Sequence, residues 1–228
     1  MTAPRPRDVY PGRALPLVAA CTGLLVIDVQ NWVMDEPNRQ PRPEFYADAR
    51  ATAIPNIARL VAAARRHGVE VIYTVMENAT EDGRDRSLDY KLSNFFIPRG
   101  SWDARVIDEV APGRDELVIP KTSSSLFNST NFEYLARNIG LDTIAVTGFL
   151  TDQCVDHTIR DGADRGFHMI CVRDACATDT RARHDAALNA FKGYCRTETT
   201  ASLIAAMDRD AEPPRGQRKG KFTKIDMR

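Results

Sequence analysis

The stretch from Thr143 to Arg160 joins a predicted strand to a predicted helix through a polar turn: Thr143-Ile-Ala-Val-Thr-Gly148-Phe-Leu-Thr-Asp-Gln-Cys154-Val-Asp-His-Thr-Ile-Arg160. Its first part is apolar and β-branched, which favours a strand, and Gly148 is expected to end that strand. After Cys154, the apolar residues Val155 and Ile159 recur at helical spacing. Cys154 is therefore predicted to lie where a strand gives way to a helix.

The predicted position of Cys154 favours chemistry at its sulfur. The first turn of a helix has backbone N–H groups without intrahelical partners, and it carries a partial positive charge. Both features favour a thiolate and a negative oxygen that develops beside it. The alternative is that Cys154 packs as a small hydrophobic side chain, which is the usual role of a buried cysteine.

Two other predicted strands end in a charged residue. The run from Gly23 to Asp28 is apolar without alternation, which is typical of a strand buried on both faces of a parallel sheet. The run from Gly113 to Lys121 ends in a lysine. Open parallel sheets place their sites at the carboxyl ends of strands, so Asp28, Lys121 and Cys154 are candidates for one site. The alternatives are a capping role for Asp28 and a solvated charge for Lys121.

Strand patterns alternate with helical patterns along the whole chain. We predict helices over 53–67, 132–139, 154–165 and 180–191, further strands over 69–76 and 167–174, and a last strand or helix over 197–207. Residues 31–50 and 77–100 are polar and are predicted to be irregular. This alternation predicts an α/β doubly wound fold, with a mainly parallel sheet of about six strands flanked by helices.

The length of the chain predicts one domain, which we place at residues 21–207. Residues 1–20 are rich in proline and arginine, and they are predicted to form an irregular N-terminal arm. Residues 208–228 are charged and are predicted to form a solvated tail. A basic contact of this tail with nucleic acid or with a neighbouring subunit is the alternative.

Charge and cysteine content argue against several classes of function. The 31 basic and 31 acidic residues give no net charge, which predicts neither a nucleic-acid partner nor a membrane partner. The five cysteines are scattered and lack CxxC spacing, which favours reduced thiols and a cytoplasmic location. The sequence contains no glycine-rich motif for nucleotide binding.

Three motifs, in order along the chain, resemble the isochorismatase-like cysteine hydrolases: LLVIDVQ, VIPKTSSSLFNST and VTGFLTDQCVDHTIRDGADRGF. The resemblance implies an isochorismatase-like, Rossmann-type three-layer fold. It also implies that Cys154 is the nucleophile, Asp28 the base and Lys121 the accompanying lysine. That family has a non-proline cis peptide four residues before its cysteine, which maps here to Phe149 and Leu150. The backbone N–H groups of Leu150 and Cys154 would then form the oxyanion hole.

The subfamilies of these hydrolases differ in their metal ligands, so the resemblance also implies whether a metal is expected. Nicotinamidases bind a metal through an aspartate and paired histidines just after the second strand, but residues 76–84 contain no histidine here. We therefore expect no catalytic metal and no cofactor. The cysteine favours the C–N hydrolases, which act on N-carbamoylsarcosine, ureidoacrylate, biuret and similar small amides. The alternatives are an isochorismatase-type enzyme that cleaves a vinyl ether, an ester hydrolase, and a catalytically silent binding domain.

The remaining expectations concern the substrate pocket and the assembly. Gln30, Trp32 and Phe127 are candidates for binding a small amide or ureido substrate, although an aromatic side chain usually packs in the core. The family commonly forms dimers or tetramers, so the resemblance implies a homo-oligomer. The aromatic-bearing segment 77–100 is a candidate subunit contact.

Overall fold

Six parallel strands form one sheet in the computed structural model, which describes residues 12–211. The strands run in the order β3-β2-β1-β4-β5-β6, and every strand pair is parallel. Their bounds are β1 Thr22–Ile27, β2 Glu70–Met76, β3 Leu117–Lys121, β4 Thr143–Phe149, β5 His168–Ala177 and β6 Arg196–Glu198. The predicted α/β doubly wound fold is therefore confirmed.

Helices follow the strands and cover both faces of the sheet. Their bounds are α1 Asn31–Met34, α2 Glu36–Arg39, α3 Pro43–Asp48, α4 Ile54–His67, α5 Leu88–Leu92, α6 Leu126–Ser129, α7 Phe132–Ile139, α8 Asp156–Asp164, α9 Arg181–Phe191 and α10 Thr200–Ala211. Single π-helical turns, Ala49–Ala53 and Thr151–Val155, precede α4 and α8. Within the described residues, no helix is both long enough and apolar enough to span a bilayer.

The two faces of the sheet carry separate apolar cores. One core packs α3, α4 and α10 against the sheet, and the other packs α6 to α9 against the opposite face. All residues of β1 and β4 are buried, as expected for central strands covered on both sides. Burial of these central runs supplies the main stabilisation of the fold, since buried apolar side chains contribute roughly 1.5–3 kcal/mol each.

The strand order reverses between β1 and β4. The chain moves outward from β1 through β2 to β3, then returns to place β4 on the other side of β1. The crevice at the carboxyl ends of two such strands is the usual ligand site of an open α/β sheet. Asp28 follows β1 and Cys154 follows β4, so both residues lie at this crevice.

Residues 31–50 were predicted to be irregular, and this prediction was wrong. The segment forms α1, α2 and α3, and the prolines of α2 and α3 occupy first-turn positions, where no backbone N–H is required. Phe45 of α3 is buried and meets the ring of Phe149 edge-on, with ring centroids 5.1 Å apart. This segment therefore belongs to the core and borders the crevice.

Gly148 does not end β4, contrary to the sequence-based expectation. The strand continues to Phe149, and its register against β5 shifts between Val146 and Gly148. Gly148 has a φ of +107°, and a Cβ there would collide with the backbone carbonyl of Ile27. Glycine is therefore required because two central backbones approach closely at this point.

Several element boundaries also differ from the predictions. The third strand begins at Leu117, because residues 113–116 form a turn in which Glu116 accepts from the N–H of Gly113 at 2.6 Å. The fifth strand continues three residues further than predicted, and segment 197–207 divides into β6 and α10. The expected domain boundary at residue 207 falls inside α10. Residues 1–11 of the expected arm and 212–228 of the expected tail lie outside the described residues.

Candidate active site

Asp28 occupies the first position after β1 and is almost fully buried. Its φ of +54° is uncommon for a residue with a side chain, although aspartate tolerates it better than most. Its backbone N–H donates to the carbonyl of Thr74, and the Thr74 hydroxyl donates to Oδ1 at 2.8 Å. Both contacts come from the neighbouring strand β2, which thereby fixes the orientation of the carboxylate.

The charged end of Lys121 lies beside this carboxylate. Lys121 is the last residue of β3, and it is 1% exposed. Its Nζ lies 2.8 Å from Asp28 Oδ2, and it donates to the carbonyl of Ser123 at 3.0 Å. Burial would lower the pKa of Lys121, but the attraction of Asp28 outweighs it and holds the pKa well above its usual value. Lys121 is therefore a buried, ion-paired ammonium and not the solvated charge of the alternative reading.

Cys154 completes the cluster from the π-helical turn that follows β4. Its Sγ accepts from Lys121 Nζ at 3.4 Å, and the residue is 6% exposed. Burial raises the pKa of the Cys154 thiol to about 12, against the opposing effect of Lys121. Burial therefore acts against the thiolate that the turn and Lys121 were expected to favour, and it favours the thiol form of Cys154 in the free protein.

Tyr90 is a further member of this cluster; the sequence suggested it, with the other aromatic residues of segment 77–100, only as a candidate for the pocket wall. Its hydroxyl accepts from Lys121 Nζ at 2.9 Å and lies 3.9 Å from Cys154 Sγ. Burial raises the pKa of Tyr90 well above its usual value, so the hydroxyl keeps its proton. Tyr90 lies on α5, a five-residue helix inside the segment predicted to be irregular. The available signal was Ser87, whose side chain accepts from the N–H of Tyr90 and caps that helix.

A narrow pocket opens at the sulfur of Cys154. Asp28, Trp32, Phe95, Leu150 and Cys154 are among the residues that line it. The rings of Trp32 and Phe95 meet edge-on, with centroids 5.2 Å apart, and form one wall. The peptide bond between Phe149 and Leu150 is cis. Trp32, the candidate for substrate binding, therefore lines the pocket. Leu150, whose N–H is the candidate oxyanion donor, lines it as well.

Two other expected substrate-binding residues lie elsewhere. The Gln30 amide donates to the carbonyls of Met76 and Asp103 and accepts from the N–H of Met76, so its polar atoms are occupied. Gln30 is fully buried, and it ties the ends of β1 and β2 together. Phe127 packs against Phe132 and Phe167 in the core beneath α8. Assigning Gln30 and Phe127 to the substrate pocket was therefore wrong.

Neither a metal-binding cluster nor a disulfide bond occurs among the described residues. Within residues 12–211, no three His, Cys, Asp or Glu side chains come close enough to hold a metal ion. The five cysteines are all free thiols. Two histidines contact the cysteine turn: His184 Nδ1 lies 2.9 Å from the hydroxyl of Thr151, and His157 Nδ1 lies 2.9 Å from the carbonyl oxygen of Gln153. Burial lowers the pKa of His184, which favours its neutral form.

Comparison with known proteins places this geometry in a family. The model of the isochorismatase domain matches residues 22–202. N-carbamoylsarcosine amidase from Arthrobacter sp is 36% identical over 140 residues, which cover 59% of this chain and 53% of that protein. The match thus spans about half the length of that relative. Ureidoacrylate amidohydrolase RutB from Serratia proteamaculans is 31% identical over 172 residues, which cover 68% of each chain.

A solved structure of a cysteine hydrolase has the same fold. The cysteine hydrolase from Pseudomonas syringae pv. phaseolicola 1448A superposes with a TM-score of 0.76 at 26% sequence identity. The superposition covers 88% of this chain and 99% of that structure. Because the domain model matches most of the chain, and the fold agrees with a solved hydrolase of this kind, the chain belongs to the isochorismatase family of hydrolases.

Proposed function

We propose that the protein is a metal-independent cysteine hydrolase that cleaves the C–N bond of a small carboxamide or ureido compound. Cys154 is the nucleophile, and the reaction passes through a thioester and releases an amine or ammonia. The names of the relatives, an amidase and an amidohydrolase, support this reaction type.

One observation carries the proposal: a buried carboxylate, a buried ammonium and a buried thiol meet at one pocket. Asp28 Oδ2 lies 2.8 Å from Lys121 Nζ, and Lys121 Nζ donates to Cys154 Sγ at 3.4 Å. The Thr74 hydroxyl donates to the other carboxylate oxygen of Asp28, Oδ1. Asp28 Oδ2 therefore keeps lone pairs with which it can accept the proton of the thiol.

The first half of the reaction follows from these protonation states. As Cys154 Sγ attacks the substrate carbonyl carbon, its proton passes to Asp28, so that no free thiolate has to form in the apolar pocket. The negative charge then develops on the carbonyl oxygen, where the N–H groups of Leu150 and Cys154 would hold it. Asp28 next delivers the proton to the departing nitrogen, the C–N bond breaks, and the carbonyl carbon remains attached to sulfur.

The second half returns the enzyme to its starting state. Asp28, again a carboxylate, takes a proton from a water molecule that attacks the thioester carbon. The C–S bond breaks, the sulfur recovers the proton, and the acid leaves. Lys121 orients Asp28 through their ion pair and stabilises negative charge that develops on the sulfur of Cys154. Tyr90 and Ser123 hold the ammonium in place.

The test is release of ammonia or amine from a panel of small carboxamides and ureas. We expect Cys154→Ala to lower kcat by on the order of 10³-fold or more, because the covalent route is lost. We expect Asp28→Asn to lower it by on the order of 10²-fold or more, because proton delivery to the leaving group is lost. Cys21→Ala is the matched control, since Cys21 is a free thiol far from the pocket. Near-normal turnover by a natively folded Cys154→Ala variant would end the proposal.

The metal-independent part has its own test. The residues after β2 lack the paired histidines that a nicotinamidase-type site requires. We expect activity to survive exhaustive treatment with EDTA, and elemental analysis to find no stoichiometric zinc, iron or manganese. Activity that is lost on chelation and restored by one added metal would contradict this part alone.

A further inference from the structure

Two adjacent residues of α9 hold the turn that carries Cys154. Arg183 contacts the carboxylate of Asp152, with its Nε 2.7 Å and its Nη2 2.5 Å from Oδ2. The next residue, His184, has its Nδ1 2.9 Å from the hydroxyl of Thr151. Thr151 and Asp152 are the first two residues of the π-helical turn. Helix α9 therefore fixes the start of this turn, just ahead of the sulfur.

The carboxylate of Asp152 is engaged at both of its oxygens. Oδ1 accepts from the hydroxyl of Thr178, the first residue after β5, and Oδ2 accepts from the guanidinium of Arg183. Arg183 is in turn held by Asp179, whose Oδ2 its Nη1 contacts at 2.5 Å. Hydrogen bonds between a guanidinium and a carboxylate are stronger and more directional than neutral ones. The turn is thus attached both to α9 and to the end of β5.

The contact between Thr151 and His184 is shielded from water. Thr151 is fully buried, and His184 is 2% exposed. Burial lowers the pKa of His184, so the imidazole is neutral and one of its ring nitrogens is an acceptor. Removal of one partner from a buried hydrogen bond leaves the other partner unpaired, which is costly. This contact therefore resists displacement of Thr151 from its place in the turn.

The two proposed oxyanion donors flank the residues that α9 holds. The N–H of Leu150 lies directly before the held pair, and the N–H of Cys154 lies two residues after it. The carbonyl of Leu150 accepts from the N–H groups of Gln153 and Val155, at 3.0 and 3.2 Å, which closes the turn from inside. Oxyanion donors must lie about 2.7–3.1 Å from the oxygen, and a misplacement of about 1 Å can cost about 100-fold in rate. The path of this turn therefore matters for catalysis.

From these contacts we propose that Arg183 and His184 are positioning residues for the oxyanion hole. The inference rests on the proposed function, and it adds the part of the molecule that keeps the N–H donors of Leu150 and Cys154 at a working separation. Both residues act through the turn, by way of Asp152 and the hydroxyl before it. A loosened turn weakens binding of the tetrahedral transition state more than binding of the substrate, so kcat falls and KM changes little.

Two pairs of variants remove each contact and then restore part of it. Arg183→Gln removes the cation, whereas Arg183→Lys keeps the charge but loses the planar fork. Thr151→Val removes the hydroxyl that meets His184, whereas Thr151→Ser keeps it. We expect Arg183→Gln and Thr151→Val to lower kcat by about 10- to 100-fold with less than about 3-fold change in KM. The two conservative variants should recover part of the lost activity.

Two small probes of Cys154 separate positioning from a general loss of structure. Acetaldehyde adds its carbonyl carbon to the sulfur, the thiol proton passes to the carbonyl oxygen, and that oxygen of the hemithioacetal needs the two N–H donors. Iodoacetamide alkylates the sulfur with loss of iodide and a proton, and it forms no such oxygen. We expect Arg183→Gln and Thr151→Val to bind carbon-13-labelled acetaldehyde about 10- to 100-fold more weakly by NMR, with alkylation rates within about 3-fold of wild type. Equal losses with both probes would indicate a merely structural role and would overturn the inference.

The matched control is Arg65→Gln. Arg65 Nε and Nη2 each lie 2.8 Å from an oxygen of Glu116, and its side chain is 43% exposed, against 45% for Arg183. Arg65 lies near the end of α4, just before β2 begins, at the edge of the sheet opposite to the pocket. Its loss should change neither kcat nor acetaldehyde affinity. Losses as large as those of Arg183→Gln would contradict a role specific to the turn.

Failure of the inference is distinguishable from failure of the proposed function. If the wild type hydrolyses amides and Arg183→Gln and Thr151→Val match its kcat, the proposed function stands and the inference is wrong. Cys154→Ala, which should not bind acetaldehyde, shows whether binding is through the sulfur. Binding through the sulfur that weakens in both variants, in a wild type that hydrolyses no amide or urea, would support the inference and contradict the proposed function. No binding of acetaldehyde by the wild type would overturn the inference.

Discussion

Cys154 shows how burial and charge compete at a single atom. The lysine that should lower the pKa of the thiol is 3.4 Å away, but its charge is already shared with Asp28. Removal of the sulfur from water therefore dominates. Under the proposed mechanism, Cys154 would therefore stay protonated until a substrate enters and Asp28 takes the proton.

The ionisation of Cys154 predicts an unusual pH dependence of alkylation. Because the pKa is raised to about 12, the thiolate fraction should rise about 10-fold per pH unit throughout pH 7 to 9.5. Free cysteine, with a pKa of about 8.5, levels off over the same range. The rate of iodoacetamide labelling at the Cys154 peptide, followed by mass spectrometry, measures this dependence. A plateau below pH 9 would mean that the thiolate forms near neutrality.

Tyr90 should act as a positioning residue for Lys121. Tyr90→Phe removes the hydroxyl that accepts from Nζ and leaves a buried ammonium short of one acceptor. We expect kcat to fall roughly 10-fold with little change in KM, and the unfolding free energy to fall by about 1–3 kcal/mol. The pH profile of kcat should also shift, which a purely structural contact would not cause. Tyr134→Phe, at an exposed tyrosine on α7, is the control.

At the scale of elements, the pairing of β1 with β4 determines where Asp28 and the turn that carries Cys154 meet. Ile27 pairs with Gly148 across the sheet, and the next residue after Ile27 is Asp28. The missing side chain at Gly148 lets the two backbones approach, and it sets the distance between Asp28 and the turn that carries Cys154. The helical segment 31–53 then closes the crevice through Phe45 and Arg42.

A pair of glycine substitutions tests whether the close approach of β1 and β4 at Gly148 matters for stability. Gly148→Ala should lower the free energy of unfolding by about 3 kcal/mol or more, since the φ of +107° and a Cβ only 2.6 Å from the Ile27 nitrogen both disfavour it. Gly140→Ala has a similar φ of +93° but nothing within 4 Å of its Cβ, so it should cost only about 1–2 kcal/mol. Urea denaturation measures both. Equal losses of unfolding free energy in the two variants would show that the close approach of β1 and β4 does not contribute to stability.

At the scale of the whole molecule, the short helix α5 has two different faces. Tyr90 points into the active site, whereas Leu88 and Leu92 are 71% and 78% exposed. Large exposed leucines that flank a buried catalytic contact are typical of a surface covered by another subunit. Such a contact would also hold Tyr90 against Lys121.

We therefore predict a homo-oligomer, a dimer or a tetramer, with α5 in the contact. Light scattering at micromolar concentration should give a multiple of 25.4 kDa. Leu88→Ser combined with Leu92→Ser should shift the mass towards the monomer, whereas Ile139→Ser, at another exposed position, should not. A fully active wild-type monomer under these conditions would contradict the prediction.

The sequence by itself determined which candidate site residues follow the apolar runs: an aspartate, a lysine and a cysteine lie at or just after the ends of three of them. The runs before Asp28 and Cys154 are buried on both faces, whereas the run before Lys121 is an edge strand that is partly exposed. Parallel strands bring their carboxyl ends to one edge of the sheet, so the three residues were expected to come together. The helix over 132–139 and its stop at Gly140 were likewise predictable, because local periodicity and a left-handed cap specify them.

Only the tertiary structure decided the properties that depend on distances through space. The pKa of Cys154 follows from the burial of its sulfur by distant segments, which no local pattern encodes. Tyr90 reaches Lys121, and Arg42 reaches the pocket, from segments whose polar sequences gave no periodic signal. Backbone partners far along the chain hold the Gln30 amide away from the pocket. Hydrophobic patterning specifies which strands are buried, but the packing of the connecting segments decides which polar groups meet and how water is excluded from them.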